Sequence, residues 1–154
     1  MVKLNLGAGR RNTWLEGFVN LDKKYGWNFQ DGLKRYNDNS VDAITISHAL
    51  MYLSEPEILT FLKEVYRVLK INGVIRISED NCEEKASDTY LVGWKGAISL
   101  TGPKMMRDLL ELAGFEVYDM TKDNSLYKDN SLCQNLHERN NPKRIFFLEG
   151  IKKI

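Results

Sequence analysis

Apolar runs of strand length recur along this chain, most of them closed by glycine or by Asn, Asp and Ser. Val2 to Leu6 has the pattern of a buried strand and stops at Gly7-Ala8-Gly9. Phe18-Val19-Asn20-Leu21 reads as a second strand, ended by Asp22, and Trp27-Asn28-Phe29-Gln30 as a short third. The turn residues Asn37-Asp38-Asn39-Ser40 introduce a β-branched fourth strand, Val41 to Ile46. Ser54-Glu55-Pro56-Glu57 combines the S-x-x-E capping pattern with a proline in the first turn, where its missing N–H costs nothing. The helix it opens carries Ile58, Leu59, Leu62, Val65, Tyr66 and Leu69 on one face, and Asn72-Gly73 ends it before a fifth strand, Val74 to Ser78. Thr101-Gly102-Pro103 opens a second helix whose stripe is Met105, Met106, Leu109, Leu110, Leu112 and Ala113, up to Gly114. Phe115 to Tyr118 and Arg144 to Ile151 complete seven expected strands.

Strands alternating with helices predict an α/β domain with a mainly parallel sheet, whose ligands sit beyond the carboxyl ends of the strands. Two stretches resist assignment: Asn81 to Leu100, which carries Tyr90 and Trp94, and Thr121 to Pro142. The second contains a tandem duplication, Lys122-Asp123-Asn124-Ser125-Leu126-Tyr127 followed by Lys128-Asp129-Asn130-Ser131-Leu132-Cys133. One duplication builds no solenoid, and the polar composition reads as a surface excursion.

With 154 residues, 43% hydrophobic and 28% charged, the chain (residues 1–154) is expected to form one globular domain. Its 22 basic and 21 acidic residues leave a formal charge of +1, so no overall field draws it to nucleic acid or to an anionic membrane. The sequence holds no membrane span and no secretory leader pattern, which leads to a soluble, cytoplasmic expectation. Cys82 and Cys133 lack metal-ligand spacing with His48 and His137, so no metal site is expected.

The candidate chemistry gathers at the first turn. A dinucleotide fingerprint would place a third glycine where Asn12 stands and follow it with a helix whose N-terminal amides hold a pyrophosphate. The stretch from Gly7 to Phe18 lies near the lower limit of about 10–12 residues for a whole crossover, so at most a stunted helix fits around Trp14-Leu15-Glu16. Asp22, at the end of the second strand, can accept both hydroxyls of a ribose, or it can be a solvated strand-end carboxylate. An adenosine ligand without a pyrophosphate suits this combination better than NAD does.

Leu4-Asn5-Leu6-Gly7-Ala8-Gly9 followed by Gly17-Phe18-Val19-Asn20-Leu21-Asp22 resembles the opening of the class I S-adenosylmethionine-dependent methyltransferases, closest to a small bacterial methyltransferase-type-11-like branch. Further segments are similar in the same order: Asp38 to Asp42, Ser47-His48-Ala49-Leu50, Tyr66 to Lys70, Gly73 to Ile77, Leu112-Ala113-Gly114-Phe115 and Phe146 to Lys152. The resemblance implies a Rossmann-like, seven-stranded, mostly parallel sheet with helices on both faces, an antiparallel C-terminal strand and an abbreviated first crossover. It also implies S-adenosylmethionine as cofactor and S-adenosylhomocysteine as product. By the same resemblance Asn5, Gly7, Ala8 and Gly9 form the turn against the methionine part of the cofactor, Asp22 takes the ribose, Asp31 faces the adenine, and Ser47 and His48 border the methyl group. The chain departs from the family pattern at Asn12, at Ile71-Asn72-Gly73 where Pro-Gly-Gly is usual, and in the N-terminal helices that often cover the cofactor.

His48 suits a general base, since an imidazole ordinarily titrates near neutral pH, although a histidine at a strand end is often structural. Glu79, with Asp80 beside it, falls just past the fifth strand and either orients a nucleophile or decorates the surface. Tyr25 and Trp27 stack on adenine or belong to the rim, and Tyr90 and Trp94 are candidates for a substrate lid. Ser47-His48-Ala49-Leu50 is unlike the Asn/Asp-Pro-Pro-aromatic motif of nucleic-acid amino methyltransferases, which argues against a nucleic-acid acceptor. The expected function is methyl transfer from S-adenosylmethionine to a small-molecule or carbohydrate-type acceptor. The alternatives are a non-catalytic protein of the same fold that binds the cofactor, and an adenine-nucleotide Rossmann enzyme. The oligomeric state is left open.

Overall fold

The computed structural model describes residues 1–81, 99, 101–121, 123–133 and 145–154. Strands β1 (Lys3–Leu6), β2 (Val19–Leu21), β3 (Val41–Ser47), β4 (Leu69–Asp80), β5 (Glu116–Asp119) and β6 (Ile145–Ile151) form one sheet in the order β2-β1-β3-β4-β6-β5. The pairs β1–β2, β1–β3 and β3–β4 are parallel, whereas β6 runs antiparallel to both β4 and β5. Order reverses beside β1, so β1, β2 and β3 point their carboxyl ends to one edge and open a crevice there.

Helices α1 (Glu55–Val68) and α2 (Pro103–Ala113) pack on each other and on one face of the sheet. Ser54 and Glu57 form the expected reciprocal cap, and α2 ends on Gly114 in a left-handed conformation. Their stripes bury Ile58, Leu62, Val65, Met106 and Leu110 against Leu4, Leu6, Ile44, Ile46, Ile75, Ile77, Phe146 and Leu148, which alternate along the strands.

Three expectations need correction or qualification. Among the described residues the sheet has six strands, because residues 29–31 form a single 3-10 turn where the third strand was expected. That loop is held by a side chain rather than a ladder: Arg67 of α1 donates to Leu33 O at 3.2 Å, Tyr36 O at 3.1 Å and Asp38 at 2.7 Å while pairing with Glu64 at 2.6 Å. Secondly, of the helices expected on both faces the described residues contain α1 and α2, which share one face, while residues 82–98 and 134–144 lie outside the described residues. The opposite face carries a polar row in register across the sheet, Asn20, Asn5, Thr45, Arg76, Glu149 and Tyr118. Thirdly, residues 123–133 are no mere surface excursion, since they cover this row. Tyr127, Leu132 and Cys133 are buried, and the Glu149 carboxylate accepts from Ser125 Oγ at 2.7 Å and Leu126 N at 2.8 Å. The first crossover is as short as expected, with one 3-10 turn at Arg11–Thr13.

Candidate functional site

A cleft of about 650 Å³ opens at the carboxyl ends of β1, β2 and β3, a size in the usual range for small-ligand sites. Gly7 and Gly9 form its floor, Asp22 and Lys23 one wall, Trp27 to Gln30 the far side, and His48, Ala49, Tyr52 and Leu53 the opposite wall. Both glycines are left-handed, with φ +68° and +71°. A Cβ on Gly7 would lie 2.5 Å from Ala49 Cβ, so the two turns approach as closely as they do only because position 7 has no side chain.

Asp22 stands where β2 ends and is pinned by backbone. Its Oδ2 accepts from Gly9 N at 2.9 Å and its Oδ1 from Lys24 N at 2.9 Å. This carboxylate therefore ties the glycine turn to the β2 loop, and each oxygen keeps a further lone pair for a ligand hydroxyl. Trp27 is buried and anchored by its Nε1, which donates to Gly32 O at 3.1 Å. Phe29 meets it edge-on at 4.9 Å and meets Phe61 of α1 at 4.8 Å, giving the cleft an aromatic end.

His48 turns off the end of β3 with φ +48°. Its N donates to Ser78 O at 2.9 Å, and its Nδ1 lies 4.0 Å from Asp80 Oδ1. Glu79 is buried and accepts from Leu50 N at 2.9 Å. It borders a crevice of about 10 Å³ shared with Met51, Asp80, Ser99 and Thr101, room for no more than one water.

The structure thus brings Gly7, Gly9, Asp22 and His48 into one cleft. Asn5 is buried beneath it and donates to Asn20 Oδ1 at 2.8 Å, and Ala8 is buried with its N on Leu21 O at 3.0 Å. Ser47 is half-buried in register with Ser78 and does not line the cleft. Asp31 is exposed, and its carboxylate accepts from Asn28 N at 2.8 Å, closing its own 3-10 turn and leaving Asn28, Phe29 and Gln30 to line the cleft. Tyr25 packs edge-on against Trp14 at 5.2 Å, away from the cleft, whereas Trp27 lines it. Tyr90 and Trp94 fall outside the described residues. Sequence reasoning missed Phe29, Ala49 and Leu53. The Trp27-Asn28-Phe29 alternation is the available signal, although its period is that of a strand.

A second cavity of about 710 Å³ lies between residues 29–34 and α1. It shares Phe29, Gln30 and Leu53 with the cleft but contains neither the glycines nor Asp22 or His48. Among the described residues no helix is long and apolar enough to cross a membrane, and no group of three or more His, Cys, Asp or Glu is placed to hold a metal.

The fold and the cleft at its switch point have counterparts among known proteins. Residues 24–77 match the model of a family described as a methyltransferase domain. The whole chain is similar to a SAM-dependent methyltransferase of Archaeoglobus fulgidus, with 18% identity and TM-score 0.73 over 97% of this chain and 85% of that one. A S-adenosylmethionine-dependent methyltransferase of Mesorhizobium loti aligns with 14% identity and TM-score 0.62 over 98% and 90% of the two chains. Phosphoethanolamine N-methyltransferase 2 of Haemonchus contortus, in complex with phosphomonomethylethanolamine and S-adenosylhomocysteine, aligns with 13% identity and TM-score 0.65 over all of this chain and 49% of that one. No curated protein matches the sequence. Residues 24–77 are thus similar to a methyltransferase domain, and the chain as a whole has the Rossmann-like fold seen in solved S-adenosylmethionine-dependent methyltransferases.

Proposed function

We propose that this protein binds S-adenosylmethionine in the cleft beyond β1, β2 and β3 and transfers its methyl group to a small-molecule or carbohydrate-type acceptor. The observation that carries this reading is the convergence of a side-chain-free turn, a pinned carboxylate and an aromatic end in one cleft. Gly7 and Gly9 would let the backbone approach the methionine part, Asp22 would accept from the ribose hydroxyls, and Trp27 and Phe29 would border the adenine. When bound, S-adenosylmethionine supplies an activated methyl on a sulfonium and is left as S-adenosylhomocysteine. The chain's own contribution is alignment, which accounts for about 7–11 kcal/mol of barrier where the fit is good. His48 would take the proton that an O–H or N–H acceptor loses as its lone pair bonds to the methyl carbon. Glu79 has a different part, since its carboxylate is used on Leu50 N and so secures the turn that presents His48. We further propose a cytoplasmic location, in keeping with the buried free thiol of Cys133.

Titration calorimetry tests the cofactor. S-adenosylhomocysteine is expected to bind and NAD not to, because no helix terminus follows the glycine turn to receive a pyrophosphate. Tighter binding of NAD than of S-adenosylhomocysteine would overturn the reading. Binding of S-adenosylhomocysteine with no methylation across a broad panel of small acceptors would favour the non-catalytic alternative.

A further inference from the structure

His48 holds a left-handed backbone, φ +48°, that a residue with a side chain keeps only where its surroundings impose it. Those surroundings are the end of β4. Ser78 O fixes the His48 N–H, and the Glu79 carboxylate fixes Leu50 N two residues on. The imidazole is 16% exposed and its Nδ1 faces Oδ1 of Asp80, itself 9% exposed, at 4.0 Å. That separation is longer than a hydrogen bond, as such contacts commonly are before a ligand closes the site. The other charged groups bordering the cleft, Asp22 and Lys23, come from the β2 side.

We propose that Asp80 is a positioning residue: it holds the His48 ring in the tautomer with the proton on Nδ1, so that the Nε2 lone pair is the one offered to an acceptor in the cleft. The physical reason is that the hydrogen bond made by one ring nitrogen decides which nitrogen carries the proton. The role divides labour between adjacent carboxylates on β4, Glu79 holding the backbone of the turn and Asp80 the ring it presents. The proposal rests on the reading of the cleft as a methyl-transfer site.

The chain has two histidines, so nitrogen-15 imidazole spectra of the full-length protein resolve His48 against His137 as an internal reference. At a pH of about 8.5, where ordinary imidazoles are neutral, and with S-adenosylhomocysteine added, His48 is expected to show mainly the Nδ1–H form. In Asp80→Asn it should shift to the Nε2–H form while His137 is unchanged, and Asp80→Glu should restore Nδ1–H. Because Asp80 does not line the cleft, Asp80→Asn should bind S-adenosylhomocysteine within about threefold of wild type by calorimetry. A wild-type His48 in the Nε2–H form, or a tautomer indifferent to Asp80→Asn, overturns the proposal even where S-adenosylhomocysteine binds normally. Should Asp80→Asn fail to fold, the wild-type spectrum decides alone. Failure of the wild type to bind S-adenosylhomocysteine overturns the cofactor reading instead, and the tautomer is then read without ligand.

Discussion

Asp22 has two tasks that pull its substitution in the same direction. Its carboxylate would receive the ribose, and it already receives two backbone N–H groups, from Gly9 and Lys24, that join the glycine turn to the β2 loop. A strand-end carboxylate judged from sequence looks removable without harm to folding, but this one caps a 3-10 turn and crosses to another element. Asp22→Ala is therefore expected to weaken S-adenosylhomocysteine binding by on the order of a hundredfold, from two lost charge-assisted bonds of about 1.5–3 kcal/mol each, partly recovered by water. It should also lower unfolding stability by about 1–2 kcal/mol, the usual cost of a lost cap. Asp22→Asn, which keeps one acceptor oxygen, should fall between Ala and wild type in both. Calorimetry and thermal unfolding of the three proteins check this, and an Asp22→Ala chain that binds within about threefold of wild type would show that the ribose lies elsewhere.

At the scale of elements, the duplicated segment shows how a polar stretch becomes a structural layer. Residues 123–133 lie on the face opposite α1 and α2 because the sheet presents Glu149 there, fully buried and accepting from Ser125 and Leu126. Burial pushes the Glu149 carboxyl above its usual range against the pull of those donors and of Arg76, whose Nη1 is 3.4 Å away. Arg76 is 3% exposed and also lies over the Phe147 ring at 4.6 Å. Glu149→Ala leaves that guanidinium buried without its carboxylate and frees two donors of the covering segment. A loss of about 3–5 kcal/mol in urea unfolding is expected, with faster hydrogen exchange in residues 123–133. Replacing both partners, Arg76→Met with Glu149→Leu, should recover much of that loss, since no charge is then stranded. A Glu149→Ala protein as stable as wild type would mean that the segment holds without this anchor. Little of this was legible beforehand. The turn residues of Asp123 to Ser131 were plain, but the partner that buries them is a strand residue some twenty positions away, and side-chain period alone does not say which face of a sheet α1 and α2 will cover.

For the whole molecule, the balance of carboxylates fixes how stability follows pH. The Arg67 guanidinium hydrogen-bonds Glu64 and holds its carboxyl below the ordinary 4.5. Burial alone would raise the Asp42 carboxyl, but Lys70 at 2.9 Å and Val2 N at 2.7 Å outweigh it and the net direction is downward. A group whose folded value is depressed contributes stability that is present above its unfolded value and disappears as pH falls through the folded one. Glu149, whose value is raised, works oppositely: its contribution is present at low pH and fades as pH rises through the raised value. The urea midpoint should therefore drop as pH falls below about 4.5, with Glu64→Gln flattening that limb. An acid limb as steep in Glu64→Gln as in wild type would remove the Arg67 pair from the account. The pair matters to the site as well, because Arg67 also ties down Leu33 and Tyr36 beyond the aromatic wall of the cleft.

By itself the sequence determined the elements with strong local signals: the Gly7-Ala8-Gly9 turn, the Ser54–Glu57 cap, both helices and the succession of strands that makes an α/β fold. It also determined the chemistry available at the strand ends, because residue types at such ends follow from where apolar runs stop. Only the tertiary structure decided which of those residues meet. Trp27 to Gln30 has the alternation of a strand, yet it bends into a turn because Phe29 and Trp27 gain more by packing together with Phe61 than a short edge ladder would return. Asp22 enters the cleft while Asp31 closes its own turn, although both are aspartates at element ends. Glu79 turns to a backbone amide and Asp80 to an imidazole, although they are neighbours, because the turn after β3 brings Leu50 N to the one and the His48 ring to the other. Each of these outcomes depends on contacts between positions far apart in the chain, and local pattern carries no record of such contacts.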